Sequence, residues 1–210
     1  DPGDDHTIGS DGTCSSCQPT DPLDPPIDII NNVQNLCLKS MVETVLDKNI
    51  TNNVNEIIHR IFDHNPNLNL VVTDRVPMSD PSHIGEETPI LNSSGNIIGS
   101  QTSLNANLLA ESSQEYIAAT IMHEALHSYF TTIGYSIGTH HDDMTNFVNT
   151  MATDLMNMFP ADSQSNALSR DAAYALSWGG LEQTEDYIHP DANNPIYIPP
   201  YVADYNTIYQ

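Results

Sequence analysis

Basic residues are scarce in this sequence. Its 210 residues contain five Lys or Arg and 28 Asp or Glu, so the formal net charge is −23 at pH 7. Nucleic acids and anionic lipid surfaces attract proteins through clustered Lys and Arg, and a chain with this charge repels both. The composition therefore disfavours DNA and RNA as partners, and its simplest effect is high solubility.

Long apolar runs and cysteines are also scarce. No stretch approaches the about 18 consecutive apolar residues of a membrane-spanning helix, so we expect no transmembrane segment. The three cysteines are too few for a four-cysteine zinc site. Cys14 and Cys17 can form a loop disulfide, or one of them can pair with Cys37, and both pairings remain open.

Residues 1–28 differ in composition from the rest of the chain. They include seven aspartates and three glycines but no Lys, Arg or aromatic residue, which is the composition of a flexible leader. The other residues have enough apolar side chains for one compact domain. We therefore expect a flexible acidic leader over 1–28, which tethers a single domain over 29–210.

The most informative pattern is His123-Glu124-Ala125-Leu126-His127. Residues four apart lie on one face of a helix, so the two imidazoles would point toward a single metal ion, typically zinc. Glu124 can take a proton from water held by the metal. A chain with nine histidines contains this quintet by chance in roughly a few per cent of cases, so its surroundings matter.

The surroundings favour a buried helix. Ser112 and Glu115 have the spacing of a capping box, which predicts a helix start, and no helix-breaking residue follows up to Thr131. A carboxylate such as Glu124 is costly inside an apolar helix, and a metal site explains it better than packing does. The uncharged flanking side chains are those of Ile117, Ala118, Ile121, Met122, Ala125, Leu126 and Tyr129.

A catalytic zinc needs three protein ligands and one open position, so a third ligand is expected downstream. We favour His141, which lies three residues before Met144 and continues the apolar stripe of a second predicted helix. His140 is the nearest competitor. Asp142 or Asp143 can also ligate zinc; otherwise they act as helix-start charges or orient an imidazole.

The quintet and its flanks resemble the signature of the zincin metallopeptidases over residues 111–158. The metzincin subgroup is excluded, because Phe130 and Ile133 stand where its glycine and third histidine belong. The quintet, the short loop and the histidine at the start of a second helix look most like the minimal SprT-like zincins and a group of uncharacterised secreted bacterial peptidases.

The resemblance implies an activity and a location. It implies a zinc ion bound by His123, His127 and His141, with Glu124 as general base in the hydrolysis of peptide bonds in protein or peptide substrates. We expect endopeptidase action, while exopeptidase action stays open. The resemblance also implies a secreted or cell-surface bacterial protein, for which we assume a monomer.

The remaining pattern predicts an α+β fold: a mostly helical zincin-like domain with a small mixed or antiparallel sheet. A helix is predicted from Ile29 onward, a strand over 67–74, and a hairpin around a turn at 92–96. A further strand is predicted over 103–108. In zincins the strand before the quintet helix pairs with the substrate, so the resemblance makes 103–108 the candidate substrate edge.

Several side chains outside the quintet are weighed less heavily. Tyr135 or Tyr174 could donate a hydrogen bond to the transition-state oxyanion, and the sequence does not choose between them. His83, in a polar loop through Gly85, is expected to be solvated. Trp178, before a glycine pair, is expected to pack in the core near a helix end.

A second class of function remains open. In a zinc-stabilised secreted binding or effector module without protease activity, an acidic side chain such as Asp142 or Asp143 would close the fourth zinc position. No water could then be activated at the metal. The peptidase is the favoured interpretation of the sequence.

Overall fold

The computed structural model describes residues 29–47, 53–62, 67–74, 78–135, 140–160, 167–190 and 196–199. The predicted leader over 1–28, with Cys14 and Cys17, lies outside these residues, so the leader and the disulfide pairings stay predictions. Cys37 is exposed and forms no disulfide with another described residue.

Helices and a small sheet make up the described chain, which confirms the α+β prediction. The strands are β1 (Ile29–Asn31), β2 (Asn69–Thr73), β3 (Gly85–Leu91) and β4 (Ile97–Leu104). One turn of 3-10 helix spans Thr145–Phe147. The α-helices are α1 (Leu36–Val45), α2 (Asn53–Phe62), α3 (Ala106–Leu109), α4 (Gln114–Thr132), α5 (His141–Met144), α6 (Val148–Met158), α7 (Arg170–Trp178) and α8 (Glu185–Ile188).

The four strands form one mixed sheet in the order β1-β2-β4-β3. The pairs β1–β2 and β2–β4 are parallel, whereas β3 and β4 are antiparallel. The antiparallel pair is the predicted hairpin, and the Asn92 N–H donates to the Asn96 carbonyl at 2.9 Å across its turn. Gly95 supplies the positive φ of +80° that this tight turn uses.

Two boundaries near the sheet differ from the prediction. The helix predicted from Ile29 begins only at Leu36, because Ile29 and Ile30 lie in β1 and pair with β2. Gly85, predicted in a loop, is the first residue of β3. In both cases a distant strand determines the local structure, and a local pattern does not record such pairing.

Helix α4 runs through the centre of the fold and contains residues 123–127. It contacts β3 and β4, and also α1, α2, α6 and α7. Because partners surround it, buried side chains occur around the whole helix, and these include Ile117, Ala118, Ile121, Met122, Ala125, Leu126 and Phe130. Full burial of one large apolar side chain contributes about 1.5–3 kcal/mol, so packing holds this helix firmly.

The start of α4 differs by one residue from the prediction. Ser113 is the N-cap, and its side chain accepts a hydrogen bond from the Tyr116 N–H at 3.2 Å. The Ser112 hydroxyl instead donates to the Leu108 carbonyl at 3.1 Å. The predicted capping box between Ser112 and Glu115 is therefore wrong, although a serine cap does begin the helix.

Candidate metal centre

Three histidine nitrogens lie close together at the middle of α4. The Nε2 atoms of His123 and His127 are 2.9 Å apart, and the Nε2 atoms of His127 and His141 are 3.2 Å apart. All three ligand atoms lie within 4.8 Å of one another. Two nitrogens on one tetrahedral zinc ion are about 3.3 Å apart, given zinc–nitrogen bonds of about 2.0–2.1 Å. The three histidines are therefore close enough to bind one metal ion.

His141 reaches the centre from the first residue of α5. Gly134, with a φ of +99°, ends α4 so that the chain can turn back. Met144 and Val148 are fully buried, as the predicted apolar stripe requires, and α6 packs against α4. The stripe thus places His141 beside the two histidines of α4, where the sequence predicted it.

The other candidates for the third ligand take different positions. His140 contacts the opposite nitrogen of His127, Nδ1, through its own Nε2. Asp142 accepts a hydrogen bond from the Glu185 N–H at 3.1 Å and so ties α5 to α8. Among the described residues, the group of possible metal ligands contains only His123, His127 and His141.

Burial favours the neutral form of the three imidazoles, which is the form that binds a metal. Burial, and then the neighbouring histidines, lower the pKa of His123 to about 3 and that of His127 to about 2. Burial also lowers the pKa of His141, and the charge of Asp142 acts in the opposite direction. The Nδ1 atom of His123 is buried and has no hydrogen-bond partner among the described residues.

Glu124 is buried beside the histidines, with 7% of its surface exposed. Burial, and then the charges of Glu87 and Glu86, raise its pKa to about 8. Its carboxylate accepts no hydrogen bond from the described residues, and it lies against the backbone of β3. A Cβ atom at Gly85 would be 2.6 Å from the Glu124 Oε1, so any other residue at 85 would require this carboxylate to shift.

Glu87 fastens β3 to α4 next to the centre. Its carboxylate accepts hydrogen bonds from the Ser100 hydroxyl at 2.5 Å and from the Thr131 hydroxyl at 3.0 Å. Burial raises the pKa of Glu87, and these two hydrogen bonds counteract the increase. The strand that faces Glu124 is therefore held by side chains as well as by its pairing with β4.

The histidines and Glu124 line a cavity of about 620 Å³. One wall consists of β3 and the residues before it, including His83, and α4 forms the floor, which includes Tyr116. The end of α7 and the following loop, including Glu182, form the other wall. None of the described residues that line the cavity is Lys or Arg. Sequence reasoning missed Tyr116 and Glu182 and expected His83 to be solvated; His83 is indeed exposed, but it lies at this cavity.

Gly180 forms part of the cavity wall directly beside His123. Its φ is +83°, and a Cβ atom there would be 3.1 Å from the His123 Cε1. Trp178, the last residue of α7, is fully buried as predicted, and its Nε1 donates to the Tyr197 carbonyl at 2.9 Å. The buried tryptophan thus anchors the glycine turn against the metal centre.

The predicted oxyanion donors do not line the cavity. Tyr135 is 42% exposed at the end of α4. Tyr174 is buried and donates to the Asn149 side chain at 2.9 Å. Tyr116 is the tyrosine that the described structure brings to the cavity.

The substrate edge predicted over 103–108 is not an edge of the described sheet. The strand predicted over 103–108 is part of β4 and ends at Leu104, where α3 follows. Because β4 pairs with β2 on one side and β3 on the other, its backbone cannot accept another strand. The assignment of 103–108 as the substrate edge is therefore wrong, and β3 is the edge strand at the cavity.

Comparisons with known proteins identify no relative. No protein-family model, no curated protein and no solved structure matches the chain. Within the described ranges, no helix has the length and apolar character needed to cross a bilayer.

Proposed function

We propose that this chain is a zinc-dependent peptidase of the zincin type. One observation carries the proposal: three half-buried imidazoles converge through their Nε2 atoms in a cavity that also contains the carboxylate of Glu124. Three protein ligands with an open cavity are typical of catalytic zinc sites, whereas structural sites have four protein ligands. Zinc is favoured because its ligands here are neutral imidazoles on a fixed scaffold.

When bound here, zinc would supply a Lewis acid that polarises a carbonyl and acidifies water. Glu124 would act as the general base. It would take a proton from the attacking water and later pass it to the leaving amine, which needs a carboxyl group whose pKa lies near the working pH. Burial supports this role by raising the pKa of Glu124 to about 8, and a nearby cation would lower that value again.

An extended peptide is the substrate that the cavity fits best. In the described sheet, β3 pairs with β4 on one side only, so its other edge can form backbone hydrogen bonds with a substrate strand. The first residues of β3, Gly85 to Glu87, line the cavity next to Glu124. A peptide added to this edge would bring its backbone carbonyl groups to the metal side of the cavity.

The alternative, a zinc-stabilised binding module, needs a fourth protein ligand. Asp142 and Asp143 are the acidic residues that the sequence offers for it. Asp142 already accepts the Glu185 N–H, and neither aspartate belongs to the group of possible ligands. Glu124 faces the cavity instead, which favours hydrolysis over a purely structural metal.

The test combines metal content with proteolysis. We expect the purified protein to bind about one zinc per chain and to cleave casein or a peptide library. Glu124→Gln should keep the zinc and lose about 10²–10⁴-fold in activity, because general base catalysis is worth about that much. His123→Ala should lose the zinc. Both are measured by elemental analysis and a fluorogenic peptide assay.

Glu115→Gln, in the first turn of the same helix and outside the cavity lining, is the matched control and should change neither property. Undiminished proteolysis by Glu124→Gln, or a wild-type protein that binds no zinc, would refute the proposed function.

A further inference from the structure

His140 is a buried imidazole directly behind a candidate metal ligand. Only 1% of its surface is exposed, and its Nε2 contacts the Nδ1 of His127. The Nε2 of His127, on the other side of the ring, faces His123 and His141. His127 therefore lies between the metal centre and His140.

Aromatic packing sets the orientation of His140. Its ring stacks on Phe130, with ring centroids 5.4 Å apart and an interplanar angle of 15°. Phe130 is itself buried, and Tyr135 and Phe147 contact it edge-on at 5.1 Å and 5.8 Å. The ring of His140 thus rests on a packed aromatic group, which keeps its Nε2 directed at His127.

The contact determines which nitrogens carry protons. If His127 binds a metal through Nε2, its proton is on Nδ1, and that N–H can only donate. The Nε2 of His140 must then accept, so the proton of a neutral His140 is on its Nδ1. Metal-binding histidines usually donate their second N–H to a carboxylate, a carbonyl or water, and this partner fixes the tautomer and the ring angle.

We propose that His140 is a positioning residue that accepts the Nδ1–H of His127 and holds its Nε2 toward the metal. The inference rests on the proposed metal site. It gives a role to His140, the residue that competes with His141 in the sequence for the place of third ligand. His127 and His123 then differ in the partner of their Nδ1 atoms, because the Nδ1 of His123 has no such partner among the described residues.

Zinc affinity of three variants tests the inference. His140→Leu fills the space without an acceptor, His140→Gln offers a side-chain oxygen as acceptor, and His141→Ala removes a ligand. By competition with a chromophoric chelator, we expect His140→Leu to bind zinc about 10–100-fold more weakly, which is the usual effect of losing such a partner. His140→Gln should recover most of the affinity, and His141→Ala should lose more than either. Circular dichroism of the metal-free proteins shows whether each variant is folded.

A folded His140→Leu with wild-type affinity would overturn the inference, and so would equal losses in the Leu and Gln variants, which indicate packing alone. A loss in both variants larger than that of His141→Ala would mean that His140 is itself the ligand. A wild-type protein without zinc affinity would refute the proposed function as well, so the two failures are distinguishable.

The wild-type protein provides a second measurement that does not depend on the folding of variants. Nitrogen-15 spectra of the zinc-loaded protein, labelled at histidine, report which ring nitrogen carries the proton. We expect the proton of His127 and that of His140 on their Nδ1 atoms. A proton on the Nε2 of His140 would overturn the inference.

Discussion

Two buried acidic side chains, Asp154 and Glu124, differ in what surrounds them. Asp154 lies on α6, is fully buried, and accepts hydrogen bonds from the N–H groups of Asn53 and Val54 at 3.1 Å and 2.9 Å. It also accepts one from the Asn53 side chain at 3.0 Å. Its charge thus satisfies the free N–H groups at the start of α2.

Glu124 has none of these partners among the described residues. Its neighbours are the backbone of Gly85, the carboxylates of Glu86 and Glu87, and a group of histidines. A buried carboxylate without hydrogen bonds costs stability, whereas one that accepts three of them contributes to it. Asp154 is therefore an acid that stabilises the fold, whereas Glu124 is an acid whose carboxylate is left available for proton transfer.

Exchanging each carboxylate for its amide should affect the free energy of unfolding differently. Asp154→Asn replaces one acceptor by a donor that faces the start of α2, so the free energy of unfolding should fall by about 2–4 kcal/mol. Glu124→Gln should not lower it. Chemical denaturation of the metal-free proteins measures both. If the two variants lost similar stability, the contrast between the two acids would be incorrect.

The pH dependence of stability sharpens the same contrast. Burial raises the pKa of Glu124 from its usual 4.5 to about 8 in the folded protein, so folding favours the protonated form. The stabilising contribution is full below pH 4.5 and is lost as the pH rises through 8. In the metal-free state, wild type should therefore lose stability relative to Glu124→Gln over this range.

His123 and His127 act in the opposite direction, since burial lowers their pKa values from 6.5 to about 3 and 2. Their contribution is present above pH 6.5 and is lost as the pH falls toward those values. Both proteins retain these histidines, so the difference between the two denaturation series isolates Glu124. A difference that does not change with pH would argue against its raised pKa.

The smallest expected effect concerns the glycine beside His123. Gly180→Ala and Gly134→Ala both force alanine into a positive φ, at a cost of about 1–3 kcal/mol each. At Gly180 the new Cβ meets the His123 ring, at 3.1 Å, whereas no atom of the described residues lies within 4 Å of a Cβ at Gly134. We expect zinc affinity to fall in Gly180→Ala alone, measured by chelator competition. Equal affinities in the two variants would mean that the ring has room to shift.

The sequence could predict features that depend on residues close together in the chain, and it could not predict features that depend on distant residues. The spacing of His123 and His127 and the apolar stripe that begins at Met144 are local, and the structure follows both. Which strand forms the edge at the cavity is not determined locally. It is β3, and not the predicted 103–108, because β2 pairs with β4. The link from Asp154 to Asn53 spans 101 residues and has no signal in the sequence around either.

The amino-acid sequence alone determined that two imidazoles and a carboxylate lie on adjacent turns of one helix, since the geometry of an α-helix converts spacing directly into position. The apolar stripe that begins at Met144 favoured His141 as the third member, and only the tertiary structure decided where its neighbour His140 lies. His140 and His141 are adjacent in the chain, and the packing of Phe130 directs one ring to the back of His127 while α5 directs the other to its front. The position of His140 depends on side chains that folding brings together, and the order of residues does not reveal those contacts.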